Sequence, residues 1–203
     1  MGSESRTRMI EGAARLLAER GLQGTSFSEV LELTGAPRGS IYHHFPDGKD
    51  QLIGEAIDFA GARSITLLDR RAGSSATEVT EFFLHLWREV LVRSNFRAGC
   101  SVLAVTVATD SPLLLERAAN VFRAWRVSLA QHFRTGGLTD GDADRFAATL
   151  IASAEGAIVL SRAEQSMEPF DLVAEQLLSQ VSSLQKGDPP DSGEEDALAP
   201  PSS

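Results

Sequence analysis

Cysteine is almost missing from this chain. Its 203 residues hold one, Cys100. Neither a disulfide framework nor a four-cysteine metal site can be built within one copy, and that usage fits a reducing, cytoplasmic setting. No apolar run approaches bilayer-spanning length. The polar, charged N-terminus lacks the basic, apolar, small-residue succession of a signal peptide, so no membrane partner is expected. A broad positive field is also absent. The formal net charge is −9, which taken alone argues against a generic phosphate-backbone binder.

Catalytic signatures are missing too. Six residues before Lys49, where a phosphate-cradling loop needs glycine, stands His43. There is no G-x-G-x-x-G and no H-E-x-x-H. A di-iron bundle needs Glu three residues before His. The residues three before His43, His44, His85 and His132 are Ser40, Ile41, Phe82 and Leu129. Glu81 and His85 share a helix face, but a single pair is a weak metal signal. No catalytic residue, metal site or cofactor is expected.

What the chain does have is helical periodicity. Ile10, Ala13, Ala14 and Leu17 form one apolar face, closed by Gly21. Ser26-Phe27-Ser28-Glu29 has the form of a capping box, with Phe27, Val30 and Leu31 turned inward. Thr34-Gly35-Ala36-Pro37 breaks that helix, and Pro37 suits the first turn of the next. A short third helix, 38–44, ends at Phe45-Pro46-Asp47-Gly48.

From Lys49 to about Gln185 the chain reads as helical, with breaks at 72–75, 95–99, 109–112, 136–142 and 168–169. No alternating strand pattern and no internal repeat occur. Residues 186–203 hold four of the eight prolines and set Lys186 against Asp188, Asp191, Glu194, Glu195 and Asp196. Such a segment cannot bury a core and is expected to be a disordered acidic tail. Residues 1–53, by contrast, carry six bases and seven acids. Any DNA affinity at that end must come from a few placed contacts.

Two short helices joined by a glycine-containing turn, with an aromatic stop, have the layout of a helix-turn-helix whose second helix enters the major groove. The chemistry of the short helix agrees. Arg38 can chelate guanine or bind phosphate, and Gly39 allows close backbone approach. Ser40, Tyr42 and His43 offer polar groups to base edges or phosphates, while Ile41 and Phe45 pack inward. Thr25 and Ser26 stand at a helix N-terminus, which favours a phosphate. Lys49 opens the fourth helix and is placed to clamp a flanking phosphate.

These residues carry a resemblance. Gly24-Thr25-Ser26-Phe27 and the run from Leu33 through Thr34-Gly35-Ala36-Pro37-Arg38-Gly39-Ser40-Ile41-Tyr42-His43-His44-Phe45 to Leu52 are similar to the N-terminal signature of the TetR family of repressors, over about residues 6–55. Ala98-Gly99-Cys100-Ser101 and Glu155-Gly156-Ala157 more weakly resemble its LmrA/YxaF-like subgroup, typified by repressors of multidrug-efflux genes. The resemblance implies an all-α fold of about nine helices. Residues 1–48 would bind DNA, and 49–185 would bind a ligand and dimerise. Two departures stand out: Pro37 replaces a Ser or Thr cap, and the Phe45-to-Lys49 spacing is one residue longer than in much of the family.

In the second region, Phe83, Trp87, Phe122 and Trp125 lie on core stripes. Singly each reads as packing, and together they could line an apolar cavity for a small molecule. Leu103 joins that set. Cys100 reads first as a small buried hydrophobe, with pocket lining or redox switching as alternatives. Glu155, in an apolar stretch, admits two readings: a ligand-facing carboxylate or an interface group. Ala154, Ala157 and Ile158, with Val173, Leu177 and Val181, are expected to pair helices 139–166 and 170–185 with twofold mates in a four-helix bundle.

The functional expectation is a homodimeric repressor of a pseudo-palindromic operator, released when an apolar or aromatic effector makes the fourth helix swing. Controlling an efflux or resistance gene would fit the subgroup. The rivals are a helical small-molecule-binding or scaffolding protein without DNA activity, favoured by the acidic charge, and a helical-bundle metalloenzyme.

Overall fold

The computed structural model describes residues 2–187 and places nine α-helices and one 3-10 turn among them, with no strand. Helix α1 is Gly2–Arg20, α2 Phe27–Thr34, α3 Arg38–His44 and α4 Lys49–Leu68; α5 is Ala76–Arg93 and α6 Ser101–Thr106. Helices α7 Pro112–Thr135, α8 Asp140–Glu164 and α9 Glu168–Lys186 complete the set. The expected acidic tail lies outside the described residues from 188 onward.

Local chemistry accounts for most boundaries. Ser26 caps α2, its Oγ accepting from the Glu29 amide at 3.2 Å. The reciprocal half of the expected box is not formed, because the Glu29 carboxylate pairs with Arg20 instead. The full box occurs at α5, where Ser75 and Glu78 satisfy each other. Gly35 ends α2 in the left-handed region (φ 65°), where glycine carries no Cβ penalty. The last break falls at 165–167, earlier than the sequence suggests. Pro169 sits inside the first turn of α9, where its missing N–H costs nothing.

One apolar cluster runs from Met9 to Val181. The first three helices are joined to the rest through α1 and α4, which pack together. Helices α4 and α7 approach closely because glycine faces α7 twice. A Cβ on Gly54 would lie 2.6 Å from Arg117 Cδ, and one on Gly61 2.6 Å from Val121 Cγ1. Arg117 then donates to Asp58 at 2.8 Å, and Trp125 Nε1 to the Gly61 carbonyl at 3.1 Å.

Helix α8 is long and apolar enough by length and composition to cross a membrane, but half of its most apolar window is buried in the protein. Its Phe146, Leu150, Ala154, Ala157 and Ile158 belong to the core. At the far end, Gln185 Nε2 donates to the Gly136 carbonyl at 2.9 Å while its Oε1 accepts from Thr77 Oγ1 at 2.5 Å, tying α9 to the start of α5.

Candidate nucleic-acid interface and cavities

Helix α3 is anchored on one face and bare on the other. Ile41 and Phe45 are fully buried. The Arg6 guanidinium lies 5.3 Å from the Phe45 ring centre and donates to Glu55 at 2.6 Å. With one side so fixed, Arg38, Gly39, Tyr42 and His43 are left exposed. Tyr42 is 68% exposed although its ring meets Phe27 edge-on at 5.5 Å. A large aromatic left that open but oriented is poorly explained by packing. Arg38 makes no ion pair among the described residues. A Cβ on Gly39 would meet nothing within 4 Å, so the folded chain itself does not require glycine there.

Pro37 is the residue preceding α3 rather than its first member, and it supplies no side-chain cap. Ser40 compensates: its amide and its hydroxyl both donate to the Pro37 carbonyl, at 3.0 and 2.7 Å. Its proton is therefore used within the chain, leaving oxygen lone pairs for an outside partner. Thr25 is corrected more strongly. It is fully buried, its hydroxyl donates to the Gly21 carbonyl at 2.9 Å and its amide to the Leu22 carbonyl at 3.3 Å. It shapes the α1–α2 turn and offers no surface to a phosphate. Ser26 stays half-exposed. Lys49 arrives at the same turn from α4, its Nζ donating to the Leu22 carbonyl at 3.1 Å; an ammonium has two further N–H groups to give.

The acids of this region are partly neutralised in place. Glu55 pairs with Arg6, Glu19 with Arg15 and Glu29 with Arg20, and none of these sits on α3. The near-neutral charge count of the N-terminal segment thus conceals a short exposed helix, α3, whose own charged residue, Arg38, is basic.

The expected pocket residues do not share one cavity. Phe83, Trp87 and Trp125 line a small space of about 90 Å³ with Leu68 and Ser64. Leu103, Phe122 and Glu155 line a separate open groove of about 770 Å³ between α6, α7 and α8. Cys100 lines a third hollow, beside Gly21 and Gly99. The reason is helix geometry: Phe122 and Trp125 meet edge-on at 5.6 Å, yet they sit on neighbouring faces of α7 that front different helices. Trp125 is buried toward α4, while Phe122 is only partly buried and faces α8. The groove walls Ile151 and Arg126 were not singled out from the sequence, and Gly156 was noted there without being assigned to a pocket. The small residues around Gly156 were its available signal, and the Gly54–Gly61 spacing of two helical turns was the signal for the α4–α7 approach.

The Cys100 thiol caps α6, accepting from the Leu103 amide at 3.4 Å, and lies beside Glu155. Burial and the neighbouring carboxylate push its pKa well up, so it stays a thiol at neutral pH. Burial also raises Glu155 to about 7, the Cys100 hydrogen bond partly offsetting it.

The expected dimer residues need correction. Ala154, Ala157, Ile158, Leu177 and Val181 are buried within a single copy, and Val173 is half-buried. Their regular spacing marks the face each helix turns to its own core. What α8 and α9 expose instead is a second stripe: Ala152, Gly156, Val159, Leu160, Ala163 and Leu172.

Comparison with known proteins bears on this arrangement. Residues 9–56, spanning α1 to the start of α4, match the model of bacterial regulatory proteins of the tetR family. Residues 76–176 match the C-terminal domain of LmrA/YxaF-like transcriptional regulators. An HTH-type transcriptional regulator of Mycobacterium tuberculosis is 37% identical over 85% of this chain and 91% of its own length. The chain belongs to the TetR family of transcriptional regulators. The HTH-type transcriptional regulator LmrA of Bacillus subtilis is 25% identical over 82% of the chain and 91% of its own length. A TetR transcriptional regulator from Chloroflexus aurantiacus superposes with a TM-score of 0.74 at 29% identity, covering 89% of this chain and 96% of its own. As a TetR-family regulator the chain is a DNA-binding protein and not an enzyme, which sets aside both the scaffold and the metalloenzyme readings.

Proposed function

We propose that the chain is a cytoplasmic homodimeric repressor that reads a pseudo-palindromic operator through α3 and lets go of it when a small apolar or aromatic molecule binds among α6, α7 and α8. Residues 1–48 read DNA; residues 49–185 bind the ligand and the second copy. Control of an efflux or resistance gene follows from the likeness to the LmrA/YxaF-like group.

The observation that carries the reading is the exposed, anchored face of α3. Arg38, Gly39, Tyr42 and His43 contact base edges or backbone, Ser40 accepts, and Lys49 and the Ser26 turn hold flanking phosphates. The second copy is held by the exposed stripe of α8 and α9. A Cβ on Gly156 would meet nothing within 4 Å, which leaves room for a partner helix at close range.

Release is supported by the α4–α7 interlock. Phe122 and Arg126 of α7 line the groove, while Val121 and Trp125 on the adjoining face meet Gly61, and the Phe122 and Trp125 rings touch edge-on at 5.6 Å. A ligand that displaces α7 drags α4, and with it Lys49 and the spacing of the two recognition helices. Ligand and operator then oppose each other reciprocally.

A gel shift with DNA upstream of the protein's own gene tests the operator half. Binding weakened by Arg38→Ala is expected; wild-type binding by Arg38→Ala, Tyr42→Ala and Lys49→Ala alike would sink the assignment. A thermal-shift screen of small apolar compounds, with hits returned to the gel shift, tests release.

A further inference from the structure

Glu155 is the one charged residue that is buried among the described residues, at 8% exposure. Buried Thr25 and Thr80 donate to carbonyls four residues back, and Ser161 accepts from the Phe170 amide; the other buried side-chain oxygen without a partner, Ser5 Oγ, is an uncharged hydroxyl on α1. Glu155 is different. The Cys100 thiol neighbours its carboxylate and favours the charged form, while Oε2 has no hydrogen-bond partner among the described residues. A buried carboxylate oxygen left unpaired is costly, and here it borders the apolar groove of about 770 Å³ between α6, α7 and α8.

We propose that Glu155 anchors the ammonium group of an apolar organic amine bound in that groove. The inference rests on reading the groove as the effector site. Leu103, Phe122 and Ile151 supply apolar walls for the body of the ligand. The acid is the sole ionisable group inside; Arg126, from α7, is exposed at the rim, and the remaining lining residues are uncharged. A charge-assisted hydrogen bond is roughly twice as strong as a neutral one, so a cation repays the carboxylate's lost hydration better than a hydroxyl does. The unpartnered Oε2 is the oxygen left for the ligand. Burial holds Glu155 at about 7, so the anchor is charged above neutrality and protonated below it.

The position also gives the ligand leverage. Cys100 opens α6, and the preceding Gly99 amide donates to the Ala18 carbonyl of α1 at 2.9 Å. An ammonium that draws the carboxylate into the groove loosens the thiol contact next to that tie. The outer wall, Ala152, Gly156, Val159 and Leu160, is part of the stripe assigned to the second copy, which would roof the site.

The test uses the full chain, with phenylbutylamine and its neutral counterpart phenylbutanol, by titration calorimetry. At about pH 8 the amine binds about tenfold more tightly than the alcohol, and the preference shrinks several-fold at about pH 6. Glu155→Gln abolishes the preference while helical content and sedimentation mass stay unchanged. Wild-type protein supplies a check independent of that variant. Near neutrality, amine binding releases a fraction of a proton, read from titrations in two buffers of different ionisation enthalpy. Equal affinity for the two probes at the higher pH, or no proton release, overturns the proposal. So does a Glu155→Gln chain that changes mass but not amine affinity, since a side chain of the second copy would then be the group facing Glu155. Operator binding is read separately. Amine held through Glu155 with operator affinity unchanged supports this site and sinks only the release mechanism.

Discussion

Trp125 donates its indole N–H to the Gly61 carbonyl, 3.1 Å away and 64 residues earlier in the chain. The bond forms where the Gly61 backbone lies against Val121, so a hydrogen bond and a steric fit meet at one point between α4 and α7. Gly61→Ala should cost about 1–3 kcal/mol, because the new methyl overlaps Val121 Cγ1 in a packed core. Val121→Ala added to it should recover part of that loss, since the branch methyls that collide are gone while Val121 Cβ stands 3.4 Å off. Urea denaturation of the two single variants and the double variant measures the coupling. Strict additivity would show that the interlock is not where the helices meet energetically.

Arg38→Ala and Tyr42→Ala should each weaken operator binding by about 1–3 kcal/mol with thermal stability little changed, because both side chains are exposed. Arg38→Ala should also flatten the salt dependence of binding if the guanidinium contacts phosphate, and relax base preference at one position if it chelates guanine. Gel shifts at several salt concentrations on matched and mismatched operators separate those outcomes.

Glu155 makes stability depend on pH in a definite direction. Its folded pKa, about 7, lies above the ordinary 4.5 of the unfolded chain. The folded state therefore binds the extra proton between those values. Stability contributed by this group is full below about 4.5, falls as pH rises, and is lost above about 7. The whole swing is up to about 3 kcal/mol. Glu155→Gln should remove that slope and be more stable than the parent on the alkaline side. Denaturation midpoints of both proteins across that range provide the comparison; parallel curves would show that Glu155 titrates normally.

Leu160→Glu places a charge in the exposed stripe of α8, where Leu160 is 50% exposed. It should leave each copy folded, convert dimer to monomer in sedimentation, and lower operator affinity by at least about tenfold through loss of the second half-site. An intact dimer would move the interface elsewhere.

The sequence made the N-terminal helices legible nearly to the residue, because their boundaries are set by local chemistry: Ser26, Gly35, Pro37, and the Phe45-Pro46 stop. It also showed which face of α3 packs, since Ile41 and Phe45 are the helix's own apolar anchors. It could not show that Thr25 is buried, because a threonine at a turn looks the same whether its hydroxyl meets a carbonyl or a phosphate. On α8 and α9 the strongest apolar periodicity pointed to the wrong neighbour. Ala154, Ala157, Leu177 and Val181 repeat regularly because they face their own core, and a weaker stripe one step around the helix is what remains outside. The pocket aromatics failed for a related reason: Phe122 and Trp125 are close in sequence but face different helices. Periodicity reports that a face is buried and is silent on what buries it.

Gly39 and Gly156 share a property that matters to anyone seeking a hardier version of this protein. Both stand inside helices, where glycine is about 1 kcal/mol worse than alanine, and around both an added methyl finds open space in the free copy. A screen that ranked variants by melting temperature would reward alanine at either position. Yet under the proposed function these are places where DNA and the second copy come near. Selection for robustness alone would thus fill in the recognition surface and the seam, leaving a sturdier molecule that no longer regulates.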